Sequence, residues 1–165
     1  MAKKILVVSD SHGNNTNLKK AVRAFGPRGE QLEMLIHLGD VQGSLEGIER
    51  LVDCPVEAVS GNCDFIPGLP GTKIISIGSE KALITHGHRY GCKMGTGTMK
   101  ELAEANGAGM VLFGHTHMPL LENYQDMKIM NPGSISQPRQ EGHRPTYLVI
   151  TVKEDGMMEF AIVTM

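Results

Sequence analysis

The chain has 165 residues, 41% apolar and 21% charged, with 20 glycines and eight prolines. A chain of this length buries roughly 70% of its unfolded surface around one core, which excludes a disulfide-stapled miniprotein and predicts a single domain over residues 1–165. The net charge of −2, without any run of five or six like charges, gives little electrostatic support for long nucleic acids or an anionic membrane surface.

Cys54, Cys63 and Cys92 form no C-x-x-C pair, a usage that fits a reducing cytosol better than a disulfide framework. Behind Lys3 and Lys4 the apolar stretch from Ile5 to Val8 stops at Ser9-Asp10, too soon for a signal-peptide core or a membrane span. A cytoplasmic protein without a membrane partner is expected, and a homo-oligomer is left open.

In chain order, short apolar runs bounded by Gly, Asn and Asp predict strands over 4–9, 34–38, 56–60, 73–77, 81–85, 110–113, 120–124, 128–130, 146–152 and 158–163. Amphipathic stretches predict helices over 15–25, 45–51 and 98–106, the last opened by a capping box of Thr98 and Glu101. With aromatics at 4% and 11 methionines, the core should be aliphatic with thioether gap-fillers. The β-α-β-α-β opening implies parallel strands and the closely spaced later strands antiparallel pairs. An α/β fold of two packed mixed sheets flanked by helices follows.

Almost every cluster of His, Asp and Asn directly follows one of these runs. Val7-Val8 leads to Ser9-Asp10-Ser11-His12, and Ile36-His37-Leu38 leads to Gly39-Asp40. Ala58-Val59 leads to Gly61-Asn62-Cys63-Asp64, Ile84-Thr85 to His86-Gly87-His88, and Leu112-Phe113 to Gly114-His115-Thr116-His117. Taken singly, each cluster has a structural explanation: Asp10 and Ser11 as helix caps, Gly39-Asp40 and Gly61-Asn62 as turns, the histidines as loop residues. Jointly they fit a ligand crevice beyond the carboxyl ends of strands, where distant segments converge.

The convergent set is four imidazoles (His12, His86, His115, His117), two carboxylates (Asp10, Asp40) and one amide (Asn62). Such nitrogen and oxygen donors suit Mn, Fe, Co, Ni or Zn. Seven side chains exceed the needs of one ion with an open position; two ions roughly 3.5–4 Å apart, sharing a carboxylate, would use them all.

These motifs resemble the calcineurin-like metallophosphoesterases, whose pattern D-x-H, G-D, G-N-H-D, H, G-H-x-H is met in order by Asp10 to His12, Gly39-Asp40, Gly61 to Asp64, His86 and Gly114 to His117. The short length and the segment Asn131-Pro132-Gly133-Ser134-Ile135-Ser136-Gln137-Pro138-Arg139 are similar to the small bacterial and archaeal phosphodiesterase branch. The resemblance implies a four-layer αββα sandwich. It also implies one metal on Asp10, His12, Asp40 and His117, with Asp40 bridging to a second on Asn62, His86 and His115. Manganese leads, with Ni, Zn, Fe or Co as alternatives.

By the same resemblance, the seven ligands act in catalysis through the metals, and a hydroxide bridging the ions attacks phosphorus. With two carboxylates such a centre nets about +1, matched to a phosphodiester monoanion. Cys63 departs from the family histidine that protonates the leaving oxygen. It is read either as a weak proton donor or as a small loop residue. Asp64 is read as an acceptor orienting its neighbours, and Arg139 as a phosphate contact or a solvated charge. His88 is placed close to the ligands as a further substrate contact, and His37 and His143 are read as structural. The glycines Gly91, Gly95 and Gly97 are read as a loop at the rim of the site, since no G-K-[ST] follows them.

The expected function is a metal-dependent phosphodiesterase for small phosphodiesters. The alternatives are a phosphomonoesterase or nuclease of the same fold, or a non-catalytic scaffold resembling the retromer subunit.

Overall fold

The computed structural model describes residues 1–165. Ten strands and three α-helices occur in the predicted order: β1 (Lys3–Val8), α1 (Thr16–Arg23), β2 (Leu32–His37), α2 (Leu45–Glu49), β3 (Val56–Ala58), β4 (Thr72–Ile77), β5 (Glu80–Thr85), α3 (Gly97–Ala105), β6 (Met110–Leu112), β7 (Pro119–Tyr124), β8 (Met127–Pro132), β9 (Thr146–Val152) and β10 (Met158–Thr164). A short 3-10 turn, His88–Tyr90, precedes α3.

The strands form two five-stranded sheets, ordered β10-β9-β1-β2-β3 and β4-β5-β6-β8-β7. Within the first, β1, β2 and β3 run parallel and β9 and β10 return antiparallel. Within the second, β5, β6 and β8 run parallel, flanked by antiparallel β4 and β7. Both sheets are therefore mixed, as the spacing of the runs predicted.

The period-two alternation of each strand decides the layers. Ile5 and Val7 of β1, Ile36 of β2, Ile84 of β5 and Leu112 of β6 meet in the core between the sheets. Their neighbours Leu6, Val8 and Leu35 face outward onto Leu18, Val22 and Ile48 of α1 and α2. On the far side, Leu83, Val111 and Ile129 cover Met99 and Ala103 of α3. The result is four layers, helices outside and sheets inside, with every parallel strand of the β1–β3 and β5–β6 sets ending at one edge of the sandwich.

One local expectation fails. The α3 N-cap is Thr96 rather than Thr98, and no side chain caps that end. Because the helix begins at Gly97, Thr98 already has helical geometry and cannot supply the flanking acceptor a capping box needs. The other helices also end earlier than predicted, at Arg23 and Glu49.

Candidate metal centre

Five loops leave the carboxyl ends of β1, β2, β3, β5 and β6; backbone hydrogen bonds tie them within each sheet, and side chains join the two sets, His86 Nδ1 to the Leu38 carbonyl and the His115 amide to Asp10 Oδ2. The amide of Asp10 donates to the Gly39 carbonyl (3.0 Å), that of His12 to the Asp40 carbonyl (2.9 Å), and that of Gly114 to the His86 carbonyl (3.1 Å). Glycine is needed where these loops touch. A Cβ on Gly61 would stand 2.1 Å from Asp40 Oδ1, and one on Gly114 would stand 2.1 Å from Ser9 Oγ.

The backbone bends sharply to aim the polar side chains inward. Asp10, His12, Asp40, His115 and His117 all have positive φ, between 48° and 71°. That region costs an L-residue on the order of 1–2 kcal/mol, and such strain collects where side chains must be aimed.

All seven predicted residues are brought together. Asp10 Oδ1 lies 3.2 Å from His117 Nε2, 3.7 Å from His86 Nε2 and 3.8 Å from His12 Nε2. Asp40 Oδ2 lies 3.3 Å from His86 Nε2 and 3.6 Å from His12 Nε2, between the two halves of the cluster. Asn62 Oδ1 is 3.1 Å from His86 Nε2, and His115 Nδ1 is 3.2 Å from the same atom.

Two groups of three have ligand atoms close enough to share an ion: Asp10, His12 and His117, and Asp40, His86 and His115. Asn62 adjoins the second group. Cys63 also groups with His12 and Asp40, and its amide donates to Asp40 Oδ1 (2.8 Å).

The far ring nitrogens fix which lone pairs face inward. His86 Nδ1 lies 2.7 Å from the Leu38 carbonyl and His117 Nδ1 2.6 Å from the Gln137 carbonyl. A carbonyl only accepts, so each Nδ1 carries the proton and each Nε2 presents a lone pair. His12 Nδ1 is held by Gln42 Oε1 in the same manner. The Nε2 atoms of His12 and His117 then face each other at 3.1 Å. Asp10 Oδ1 is buried with no hydrogen-bond donor at all. Converging lone pairs around an orphaned carboxylate oxygen call for a cation, and the donor set fits a borderline transition ion.

The titrations follow the same crowding. Burial raises the Asp10 carboxyl, but the close imidazoles of His117 and His86 and the Ser9 hydroxyl outweigh this and hold it below the usual carboxylate value. Asp40 is lowered likewise, burial being outweighed by His86 and the Cys63 amide. Burial depresses His86, yet the two carboxylates raise it overall. His115 falls to about 4 through burial, His86 and Lys93. The Cys63 thiol is raised by burial and then by Asp40, Asp64 and Asp10.

Asp64 acts on backbone: its carboxylate accepts from the amides of Gln42 and Gly61, both at 2.9 Å. His88 stands beside the second group, its ring centroid 5.4 Å from that of His86, with a buried Nδ1 that has no partner. The Arg139 amide donates to the His117 carbonyl (3.0 Å), so the residue borders the first group while its side chain is exposed.

Several supporting residues were not singled out as such. His37 is fully buried, accepts from the Gly39 amide through Nδ1 (3.1 Å) and therefore donates from Nε2 to Ser11 Oγ (2.9 Å). Burial pushes it down to about 4, consistent with that neutral tautomer. It ties two ligand loops together, so the structural reading of His37 acquires a purpose. Ser134 and Ser136 donate to the Asp10 carbonyl at 2.8 and 3.0 Å, and Ser136 also reaches the Ser11 carbonyl. Ser9 donates to Asp10 Oδ2 (2.6 Å). The only signal in the sequence was the N-P-G-S-I-S segment itself.

The calcineurin-like phosphoesterase superfamily domain matches residues 4–155. The chain is 34% identical over 152 residues to the probable metallophosphoesterase YsnB of Bacillus subtilis (strain 168), covering 92% of this chain and 85% of that one. It is 30% identical over 158 residues to the phosphodiesterase YfcE of Escherichia coli (strain K12), with 82% and 81% covered. A predicted phosphoesterase from Streptococcus pneumoniae TIGR4 superposes with a TM-score of 0.83 at 27% identity, over 99% of this chain and 90% of that one. The chain belongs to the calcineurin-like phosphoesterase superfamily and is a metal-dependent phosphoesterase.

Proposed function

We propose that residues 1–165 work as one catalytic domain that hydrolyses small phosphodiesters with two divalent ions, manganese first among them. The observation that carries this reading is the set of inward lone pairs on His12, His86 and His117 around the donor-less Asp10 Oδ1. Asp10, His12 and His117 would hold one ion, His86, His115 and Asn62 the other, and Asp40, whose Oδ2 lies between the groups, would be shared. When bound, such a pair supplies Lewis acidity and a nucleophile at neutral pH.

The protein's own part is to fix charge and direction. Asn62 adds an oxygen donor without negative charge, which leaves the centre matched to a monoanionic diester. Leu38 and Gln137 carbonyls hold His86 and His117 in the tautomer that presents Nε2. Arg139 at the rim would reach a phosphate oxygen, and His88 would contact the same group beside His86. Cys63 would face the leaving oxygen. A thiol of ordinary pKa near ~8.5 is a weaker acid than an imidazolium near ~6.5, so leaving groups that need no proton are favoured. Aryl diesters should outrun alkyl diesters by a wide margin. Equal rates on the two would count against this role, as would no gain on alkyl esters from Cys63→His.

The deciding experiment strips the protein of metal and assays an aryl phosphodiester and the matching monoester with Mn, Ni, Zn, Fe, Co, Mg or nothing restored. Metal-dependent turnover favouring the diester is expected. Preference for the monoester would overturn the substrate class. Silence with every metal would favour a scaffold that binds proteins; the short fold carries no helix long and apolar enough to cross a membrane.

A further inference from the structure

Seven large apolar side chains are exposed: Met1, Phe65, Met94, Met118, Leu121, Tyr124 and Met157. Single exposed apolar groups are ordinary on a protein surface, so position decides which of them means something. Met1 is terminal, Met157 follows the turn between β9 and β10, and Leu121 and Tyr124 lie on β7, where the Lys100 ammonium already sits 3.8 Å over the Tyr124 ring. Met94 lies in the glycine loop before α3, and Met118, next to His117, is 49% exposed; Phe65 is different, because it is an aromatic ring, 93% exposed, three residues after Asn62 in a segment that carries the metal centre.

That segment is held rather than loose. The Asp64 amide donates to the Gly61 carbonyl (3.2 Å), closing a turn around Asn62 and Cys63, and the Asp64 carboxylate takes the Gly61 and Gln42 amides. A turn of this kind keeps its end residues, Gly61 and Asp64, within about 7 Å of each other, and Phe65 is the first residue to leave it, directly after Asp64. On its other side Ile66 packs into the core beneath α1 and α2, the Leu69 amide donates to the Ile66 carbonyl, and the Ser60 amide closes the loop on the Pro70 carbonyl (2.8 Å). Ile66 is drawn inward and Phe65 is left in solvent on a braced loop. The same side of the centre is its open side, since Asn62 is exposed whereas Asp10, Asp40 and His86 are buried.

We propose that Phe65 is a specificity-determining residue whose ring stacks on the nucleobase of a small nucleoside phosphodiester while the phosphate occupies the metal centre. This rests on the phosphodiesterase reading and narrows it to diesters that carry a planar aromatic group. An aromatic face accepts any base, so the contact selects for the presence of a base rather than its identity. Because the loop is braced, little ordering is lost when the base docks.

The test is calorimetric binding of AMP and of ribose 5-phosphate to the manganese-loaded protein, in the wild type, Phe65→Ala and Phe65→Trp. Base stacking on one exposed ring should make AMP about five- to tenfold tighter than ribose 5-phosphate in the wild type. Phe65→Ala should bring that ratio to one without changing ribose 5-phosphate affinity, and Phe65→Trp should keep or raise it. A ratio near one in the wild type, or a ratio that survives Phe65→Ala, overturns the stacking role while leaving the phosphodiesterase reading intact. No binding of either ligand overturns the stacking role, while the phosphodiesterase reading is overturned separately by loss of turnover in the metal-restoration assay. Since Phe65 is almost wholly exposed, loss of folding does not confuse the comparison.

Discussion

The two halves of the centre are built to different standards of rigidity. Around Asp10, His12 and His117 every direction is held: Ser9 fixes the carboxylate, Gln42 and the Gln137 carbonyl fix the imidazoles, and Ser134 and Ser136 hold the Asp10 backbone from behind. Around His86, Asn62 and His115 only His86 is oriented by a carbonyl, while Asn62 is exposed and His115 is half-buried. On the proposed reading the closed half would be the better-formed ion site, and the open half would admit substrate and solvent. Pre-organised ligands bind metal more tightly because less ordering is lost on binding.

Four experiments would break or sharpen this contrast. Asp40 is common to both halves, so Asp40→Ala should erase it: metal analysis should show neither ion retained in full, and activity should fall by more than about 1000-fold. Retention of either would mean Asp40 is not shared.

Asn62→Ala should act on the open half alone. Bound metal should drop from two ions toward one, with thermal stability little changed because the side chain is exposed. Loss of both ions would show that the halves are not independent.

Ser136→Ala removes one of the two hydrogen bonds to the Asp10 carbonyl, leaving that of Ser134, and the one to the Ser11 carbonyl. Supporting residues of this kind are worth roughly 10- to 100-fold in metal affinity, so a metal titration should show the tighter of two binding steps weakened. If the weaker step moves instead, the rigid half is not the tight one.

The smallest effect concerns the strut between the halves. His37 is lowered to about 4 in the fold against about 6.5 unfolded, so the unfolded chain binds more protons between those values. Its neutral form contributes fully above pH 6.5, and that contribution is lost as pH falls toward 4. Denaturant unfolding of metal-free protein across that window should show a slope shallower by about one proton in His37→Gln. An unchanged slope would place the titration elsewhere.

The same physics explains what could be read early. Short apolar runs such as Ile5 to Val8 and Leu35 to Leu38 are a local property and mark strands buried on both faces, whereas the division of their side chains between the two cores is a tertiary outcome. The seven converging residues are legible because each follows a strand, and parallel strands deliver their carboxyl ends to one edge. The α3 cap was misread because Thr98 and Glu101 have the right types but the helix starts at Gly97. The closure of Ser134 and Ser136 onto the Asp10 loop spans more than 120 residues, and no pattern in a single chain encodes such a pairing.

The sequence by itself determined the element order, the two-sheet α/β class and the seven residues that converge, since each follows from side-chain type and short-range spacing. Tertiary structure alone decided which lone pairs face inward, which half is braced and that Phe65 stands exposed at the open side. Those outcomes depend on carbonyls such as Leu38 and Gln137 and on loop closures such as Ser60 to Pro70, contacts between segments that packing brings together.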